Sequence, residues 1–184
     1  MTESKGRKMT QADKFKWQTK HDKIIKSEFL KQAKSKDTFL VIHGARALNK
    51  QLPPKYRRPT KDWDTWAKKP KVRMDKIEDR LDFLVKCDMF YEKQISVDET
   101  ITGKKGKVYQ VYSRLTGEPV VEYMKVPKGK GYYKVIGGIR WQTLDHAKMI
   151  YKSILQEQNK KHRWAKTRRD LNRIEAFERS AGGT

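Results

Sequence analysis

The chain has 184 residues, and 44 lysines and arginines against 22 aspartates and glutamates give a net charge of +22. This length fits one domain, alone or with tails, that buries about 70% of its unfolded surface without disulfide bonds. Its single cysteine, Cys87, excludes an internal disulfide and is typical of a reducing compartment. No apolar run approaches the roughly 18 residues of a membrane span, and the first residues lack a signal-peptide core. We therefore expect a cytoplasmic or otherwise intracellular protein with no membrane partner.

The positive charge indicates contact with a polyanion, because lysines and arginines bind phosphates and release their counterions. A surface that is charged only for solubility is the alternative. The charge alone does not distinguish a nucleic acid that is a substrate from one that is an effector or a packaged genome.

The predicted elements begin with a basic, flexible leader over residues 1–20 that passes into a helix over about 10–33. An apolar strand over 38–42 follows, and then a short helix over 45–52 that Pro53 and Pro54 end. The next strand spans 62–66 and carries two aspartates.

The second half of the chain begins with a helix and continues with several strands. Its predicted elements are a helix over 72–85, a strand over 90–97, a hairpin of 107–115 and 119–127 around Gly117, and a strand over 132–136. Two helices over 143–158 and 161–179 and a loose tail close the chain. This order predicts an α+β fold with a leader at 1–20, a core at 21–142, a helical pair at 143–180 and a tail at 181–184.

The most informative stretch runs from Val41 to Trp66. A hydrophobic strand reaches the small-residue turn Gly44-Ala45, and a basic lead-in then delivers Asp62 and Asp64. Side chains two apart on a strand share a face, with α-carbons roughly 6.6 Å apart. Two carboxylates so placed suit one or two divalent cations, and the turn offers N–H groups to phosphates. The alternative is a solvated acidic strand end that pairs with lysines.

This stretch resembles the nucleotidyltransferase superfamily of polymerase-beta-like enzymes, and most closely its abortive-infection toxin branch. That branch carries Gly-Gly-(Thr/Ser)-Ala-Leu and then Arg-x-(Ser/Thr)-x-Asp-hydrophobic-Asp. The corresponding residues are Gly44, Ala45, Arg46, Ala47 and Leu48, followed by Arg58, Thr60, Asp62 and Asp64. The sequence departs at Ala45 and Arg46, so a hydroxyl that would touch phosphate is missing. Either Arg46 replaces it as a phosphate clamp or the pocket is degraded.

The resemblance implies a mixed sheet flanked by helices, a nucleoside triphosphate substrate, and Mg²⁺ or Mn²⁺ bound by Asp62 and Asp64. It also implies nucleotide binding by Gly44, Ala45, Arg46, Arg58 and Thr60. The superfamily usually adds a third carboxylate, and Glu122 is the best candidate because it interrupts an apolar β-run. Glu92 and Asp98 are weaker substitutes, and alternation also allows Glu122 to face solvent.

A vaguer likeness lies in the C-terminal helices, where the toxin branch carries a helical lysine and then Lys-x-x-x-Asp-Leu. Lys148 and then Lys166, Asp170 and Leu171 occupy these positions. The two lysines would hold triphosphate oxygens, and Asp170 would buttress a neighbouring cation. Structural roles on lysine-rich helices are the alternative.

Three hypotheses follow. The first is a metal-dependent nucleotidyltransferase with Asp62, Asp64 and Glu122 as catalytic and metal-binding residues, acting on RNA (tRNA-like) or on protein. The second is an inactive relative that binds nucleic acid, as RNA or a single strand, or packs into a virion or nucleoprotein assembly. The third is an unrelated basic accessory protein, for example of ribosomes. The nucleotide, the acceptor and the oligomeric state are not readable from the sequence.

Overall fold

The computed structural model describes residues 27, 30–35, 37–60, 62–73, 90–99, 104–113 and 119–182. The predicted leader, most of the helices over 10–33 and 72–85, the turn at Gly117 and Cys87 lie outside these residues. Within the described part, residues 30–34 and 70–73 are helical. No described helix combines the length and apolar character that crossing a membrane requires.

Seven strands and three helices build the described fold. The strands are β1 (Leu40–Ile42), β2 (Trp63–Ala67), β3 (Phe90–Glu99), β4 (Lys104–Ser113), β5 (Pro119–Lys125), β6 (Tyr133–Ile136) and β7 (Ile139–Gln142). The helices are α1 (Gly44–Gln51), α2 (Leu144–Gln156) and α3 (Lys161–Ala181). A short 3₁₀ turn at Pro54–Tyr56 lies between α1 and β2, and a second one at Gln158–Lys160 connects α2 to α3.

The strands form one mixed sheet in the order β3-β4-β5-β2-β1-β7-β6. Strand β2 lies in its centre, parallel to β5 on one side and antiparallel to β1 on the other. This arrangement confirms the predicted α+β class with a mixed sheet, flanking helices and a C-terminal helical pair. Strand β7 was not predicted, since its four residues follow Gly137 and Gly138 too closely to show a pattern of their own.

The core is divided between the two faces of the sheet and the helices. On one face Trp63, Val121, Tyr123 and Trp141 pack together. On the other face Val41, Trp66 and Tyr132 form a smaller cluster under Ile150 of α2. Helices α1, α2 and α3 meet through Leu48, Ala147 and Ile174. The side chains of β2 therefore alternate between the two faces, with Trp63 and Ala67 in the first cluster and Trp66 in the second.

Candidate active site

The Gly44 turn lies directly against Asp64. Gly44 begins α1 with a φ of +65°, in the left-handed region that residues with a Cβ rarely adopt. An ideal Cβ on Gly44 would stand 2.3 Å from Oδ2 of Asp64. Glycine is therefore required twice here, for the backbone conformation and for the room that the Asp64 carboxylate occupies.

Backbone bonds fix this turn to the central strand. The His43 N–H donates to the Asp64 carbonyl at 2.9 Å, which continues the β1–β2 pairing past the end of β1. The Gly44 N–H donates to Oε1 of Gln142 at 3.0 Å. Its amide is therefore satisfied by protein, so Gly44 acts here as a spacer, and the prediction that it binds nucleotide stays a prediction.

Three polar side chains form a row across neighbouring strands. Asp64 on β2 is the register partner of Glu122 on β5, and Glu122 is the register partner of Gln110 on β4. Register partners point to the same face. The Gln110 side-chain amide donates to Oε1 of Glu122. The third carboxylate predicted from the sequence thus lies beside Asp64, whereas Glu92 and Asp98 lie on β3, which β4 and β5 separate from β2.

Asp62 precedes β2 and is held by its neighbours. The Thr60 hydroxyl donates to Oδ1 of Asp62 at 3.2 Å. The Arg46 Nε donates to the Asp62 carbonyl at 2.7 Å, and its guanidinium lies 3.9 Å from the Trp63 ring centroid. Arg46 thus braces the backbone that carries the aspartates.

The electrostatics of the three acids are coupled. Burial first, and then the charges of Asp62 and Glu122, raise the pKa of Asp64 to about 7. Burial likewise raises the pKa of Glu122, although its bond from Gln110 opposes the shift. Lys166 and Arg163 lower both pKa values in part. The cleft therefore concentrates negative charge that the nearby cations only partly compensate.

His43 is a packed histidine. Its ring stacks on Trp66 with centroids 4.2 Å apart. Burial, and then the neighbouring His146 and Arg163, lower its pKa to about 3, so the ring is neutral. The neutral, stacked ring therefore has a packing role next to the turn.

Arg58 and Asp170 form a bidentate ion pair across 112 residues, with Nε and Nη2 each 2.8 Å from a carboxylate oxygen. Arg173 adds a bond of 2.9 Å to Asp170 and one of 2.8 Å to Asn49. Burial alone would raise the pKa of Asp170, but the bonds and charges of Arg58 and Arg173 hold it below its usual value. This network attaches the segment that precedes the aspartates, which contains Arg58, to helix α3.

The two predicted lysines have different surroundings. Lys166 is exposed on α3 and acts electrostatically on Asp64 and Glu122. Lys148 on α2 instead pairs with Glu178 of α3, so it joins the two helices. Their assignment to triphosphate oxygens, like that of Ala45 and Arg58, stays a prediction.

Among the described residues, no group of three or more histidines, cysteines, aspartates and glutamates is arranged so that it could hold a metal ion by itself. Mg²⁺ does not need one, since it is usually bound through one or two carboxylates together with waters and substrate phosphates. The donor set fits such a cation, because the charges of Asp62 and Glu122 raise the pKa of Asp64 and an added cation would relieve their repulsion.

Sequence reasoning missed three residues that shape this site. Gln142 closes strand β7 and holds the Gly44 amide, Gln110 holds Glu122, and Arg163 lies near both Asp64 and Glu122. For Gln110 the sequence did contain an indication, because a polar residue stands among apolar strand positions. The strand register that brings these residues to the site could not be deduced from the sequence.

The sequence matches no protein-family model and no curated protein. Among solved structures, the fold is similar to that of the Megavirus polyadenylate synthase. The TM-score is 0.52 with 15% identity, over 97% of this chain and 40% of the synthase chain. The two proteins share a fold. This chain spans less than half of the synthase chain, so the likeness concerns architecture alone. JHP933 from Helicobacter pylori has 16% identity and a TM-score of 0.48, over 89% of this chain and 68% of its own.

Proposed function

We propose that this protein is a metal-dependent nucleotidyltransferase that moves a nucleotide from a nucleoside triphosphate to an acceptor. The observation that carries the proposal is the contact between the Gly44 turn and Asp64, with Glu122 in register beside it. Because Glu122 lies 58 residues after Asp64 in the sequence, its position beside Asp64 is a property of the fold.

The chain's own residues have distinct roles in this proposal. Asp62, Asp64 and Glu122 hold Mg²⁺ or Mn²⁺, and Gln110 and Thr60 orient two of these carboxylates. When bound, the cation neutralises charge on the transferring phosphoryl group and its leaving pyrophosphate. Lys166 and Arg163, whose charges act on Asp64 and Glu122, neutralise the negative charge of the phosphates in this proposal.

The proposal also specifies the class of molecule that accepts the nucleotide. The net charge of +22 supports RNA, including a tRNA-like end, because lysines and arginines that neutralise phosphates release counterions. A protein side chain is the other acceptor that this chemistry allows. The assignment to the abortive-infection toxin type, and the location in the cytoplasm or a virion, belong to this proposal as well.

A transfer assay tests the proposal. The protein is incubated with each labelled nucleoside triphosphate, Mg²⁺ or Mn²⁺, and total RNA. We expect label on RNA that requires the cation and disappears in the Asp62→Asn/Asp64→Asn variant. Asp145→Asn, which removes an exposed carboxylate at the start of α2, is the matched control and should retain transfer.

A second function is an inactive member of this fold that binds nucleic acid, alone or within a virion or nucleoprotein assembly. The engagement of Arg46 with Asp62 and Trp63, and of Lys148 with Glu178, favours it, since both cations are occupied by protein. No cation-dependent transfer to RNA or protein, with nucleic-acid binding retained, would support this function and contradict the first.

A further inference from the structure

A basic groove lies between the 3₁₀ turn at Pro54–Tyr56 and helix α3. Two cavities of about 490 and 290 Å³ adjoin there and share Tyr56, Arg169 and Arg173 as lining residues. The first cavity adds Arg168, and the second adds Lys55, Arg57 and Arg58. Among the described residues, no aspartate or glutamate lines either cavity.

The cations of this groove fall into two groups. Arg58 and Arg173 are bound to Asp170, so they serve the network already described. Lys55, Arg57, Arg168 and Arg169 are exposed. Four exposed cations on one concave surface repel one another in the free protein, and a polyanion relieves that repulsion.

A row of basic residues on α3 runs from the groove toward the candidate active site. Arg163, Lys166, Arg169 and Arg173 are spaced three or four residues apart, so they follow one face of α3. The first two lie near Asp64 and Glu122, and the last two line the groove. Arg163 and Arg173 are ten positions apart, which corresponds to about 15 Å along the helix.

We propose that this groove binds the phosphodiester backbone of a single-stranded polynucleotide, whose end reaches the carboxylates. The repeat of the helix places the Cβ atoms of successive basic residues about 5–6 Å apart, so a polyanion that follows α3 meets these residues in turn. Cavities of about 490 and 290 Å³ have the volumes of small-ligand sites, which the nucleotides of one strand can fill and a duplex cannot enter. The identity of this strand as the acceptor rests on the proposed function, whereas the binding itself does not.

Fluorescence anisotropy with labelled oligoadenylates of about 15 nucleotides tests the groove. The titrations are made without nucleotide and in EDTA, so that they do not depend on catalysis. We expect the Arg168→Gln/Arg169→Gln variant to bind about tenfold more weakly at low salt. The slope of log K against log salt should fall by about 1.4, since each single-strand phosphate contact contributes about 0.7.

The matched control is Lys128→Gln/Lys130→Gln, which removes the same charge from an exposed turn outside the groove. It should bind as the wild type does. Equal losses in both variants would show that net charge alone decides binding, and tighter binding of a duplex would contradict a single-strand groove. Ribo- and deoxyribo-oligonucleotides share the phosphate contacts, so the tighter of the two identifies the class of strand.

The experiments distinguish a failure of the groove proposal from a failure of the proposed function. Binding that is lost in the groove variant but kept in Asp62→Asn/Asp64→Asn supports the groove even if no transfer is found. Transfer to RNA that the groove variant performs with unchanged KM would contradict the groove and leave the transferase intact. Thermal unfolding of each variant checks that α3 remains folded.

Discussion

Gly44→Ala is expected to lower nucleotide transfer by about 100-fold or more, because displacing a reacting group by about 1 Å costs that much. The new Cβ would stand 2.3 Å from Oδ2 of Asp64, so the carboxylate must leave its position. The left-handed backbone at φ +65° adds about 1–2 kcal/mol of strain. Steady-state transfer rates and thermal unfolding together measure both effects.

Gly137→Ala is the matched control for this substitution. Gly137 has a φ of +58°, but a Cβ there meets no atom within 4 Å. The two variants therefore carry similar backbone strain, and only one disturbs Asp64. Equal losses of transfer in both variants would show that the strain, and not the contact with Asp64, governs activity.

Asp64→Asn is expected to stabilise the cation-free protein at pH 8 while it abolishes transfer. The folded-state pKa of Asp64 is about 7, above the ordinary value of 3.8, so the folded protein holds an extra proton between these two pH values. Stability therefore falls as the pH rises from about 4 to 7, and the full cost of the ionised carboxylate is present above 7. Asparagine removes that cost, and a chain of this size gains about 2–4 °C in Tm for each kcal/mol.

Unfolding in EDTA at pH 5 and pH 8 measures this effect. The gain in Tm should be larger at pH 8, because at pH 5 the wild-type carboxyl is protonated too. Mg²⁺ with nucleotide should raise the Tm of the wild type and leave that of the variant unchanged. Asp145→Asn, at an exposed position, should show neither effect, and a destabilised Asp64→Asn at pH 8 would contradict the account.

The predictable part of the site is local in sequence. The strand, the Gly44 turn, the short helix and the paired aspartates lie within about 25 residues, and each follows from the spacing of apolar, small and acidic residues. Glu122 was also identifiable, because a carboxylate in an apolar strand needs partners. These elements appear in the structure where the pattern placed them.

The unpredicted part depends on distant pairings. The parallel register that sets Asp64 beside Glu122 spans 58 residues, and the ion pair of Arg58 with Asp170 spans 112. Sequence spacing does not reveal that Arg46 stacks on Trp63 or that Lys148 pairs with Glu178. The partners of such long side chains depend on how the helices and strands pack. For the same reason β7, and with it the role of Gln142, was found only in the structure.

The central claim is that the Gly44 turn and the three acids form one site for a cation-bound triphosphate. A crystal grown with Mn²⁺ and a non-hydrolysable triphosphate, measured at the manganese absorption edge, tests it most directly. The account predicts an anomalous peak coordinated by the carboxylates of Asp62 and Asp64, with the phosphates toward Lys166 and Arg163. Manganese and triphosphate bound elsewhere, with these carboxylates paired to neighbouring lysines, would contradict it.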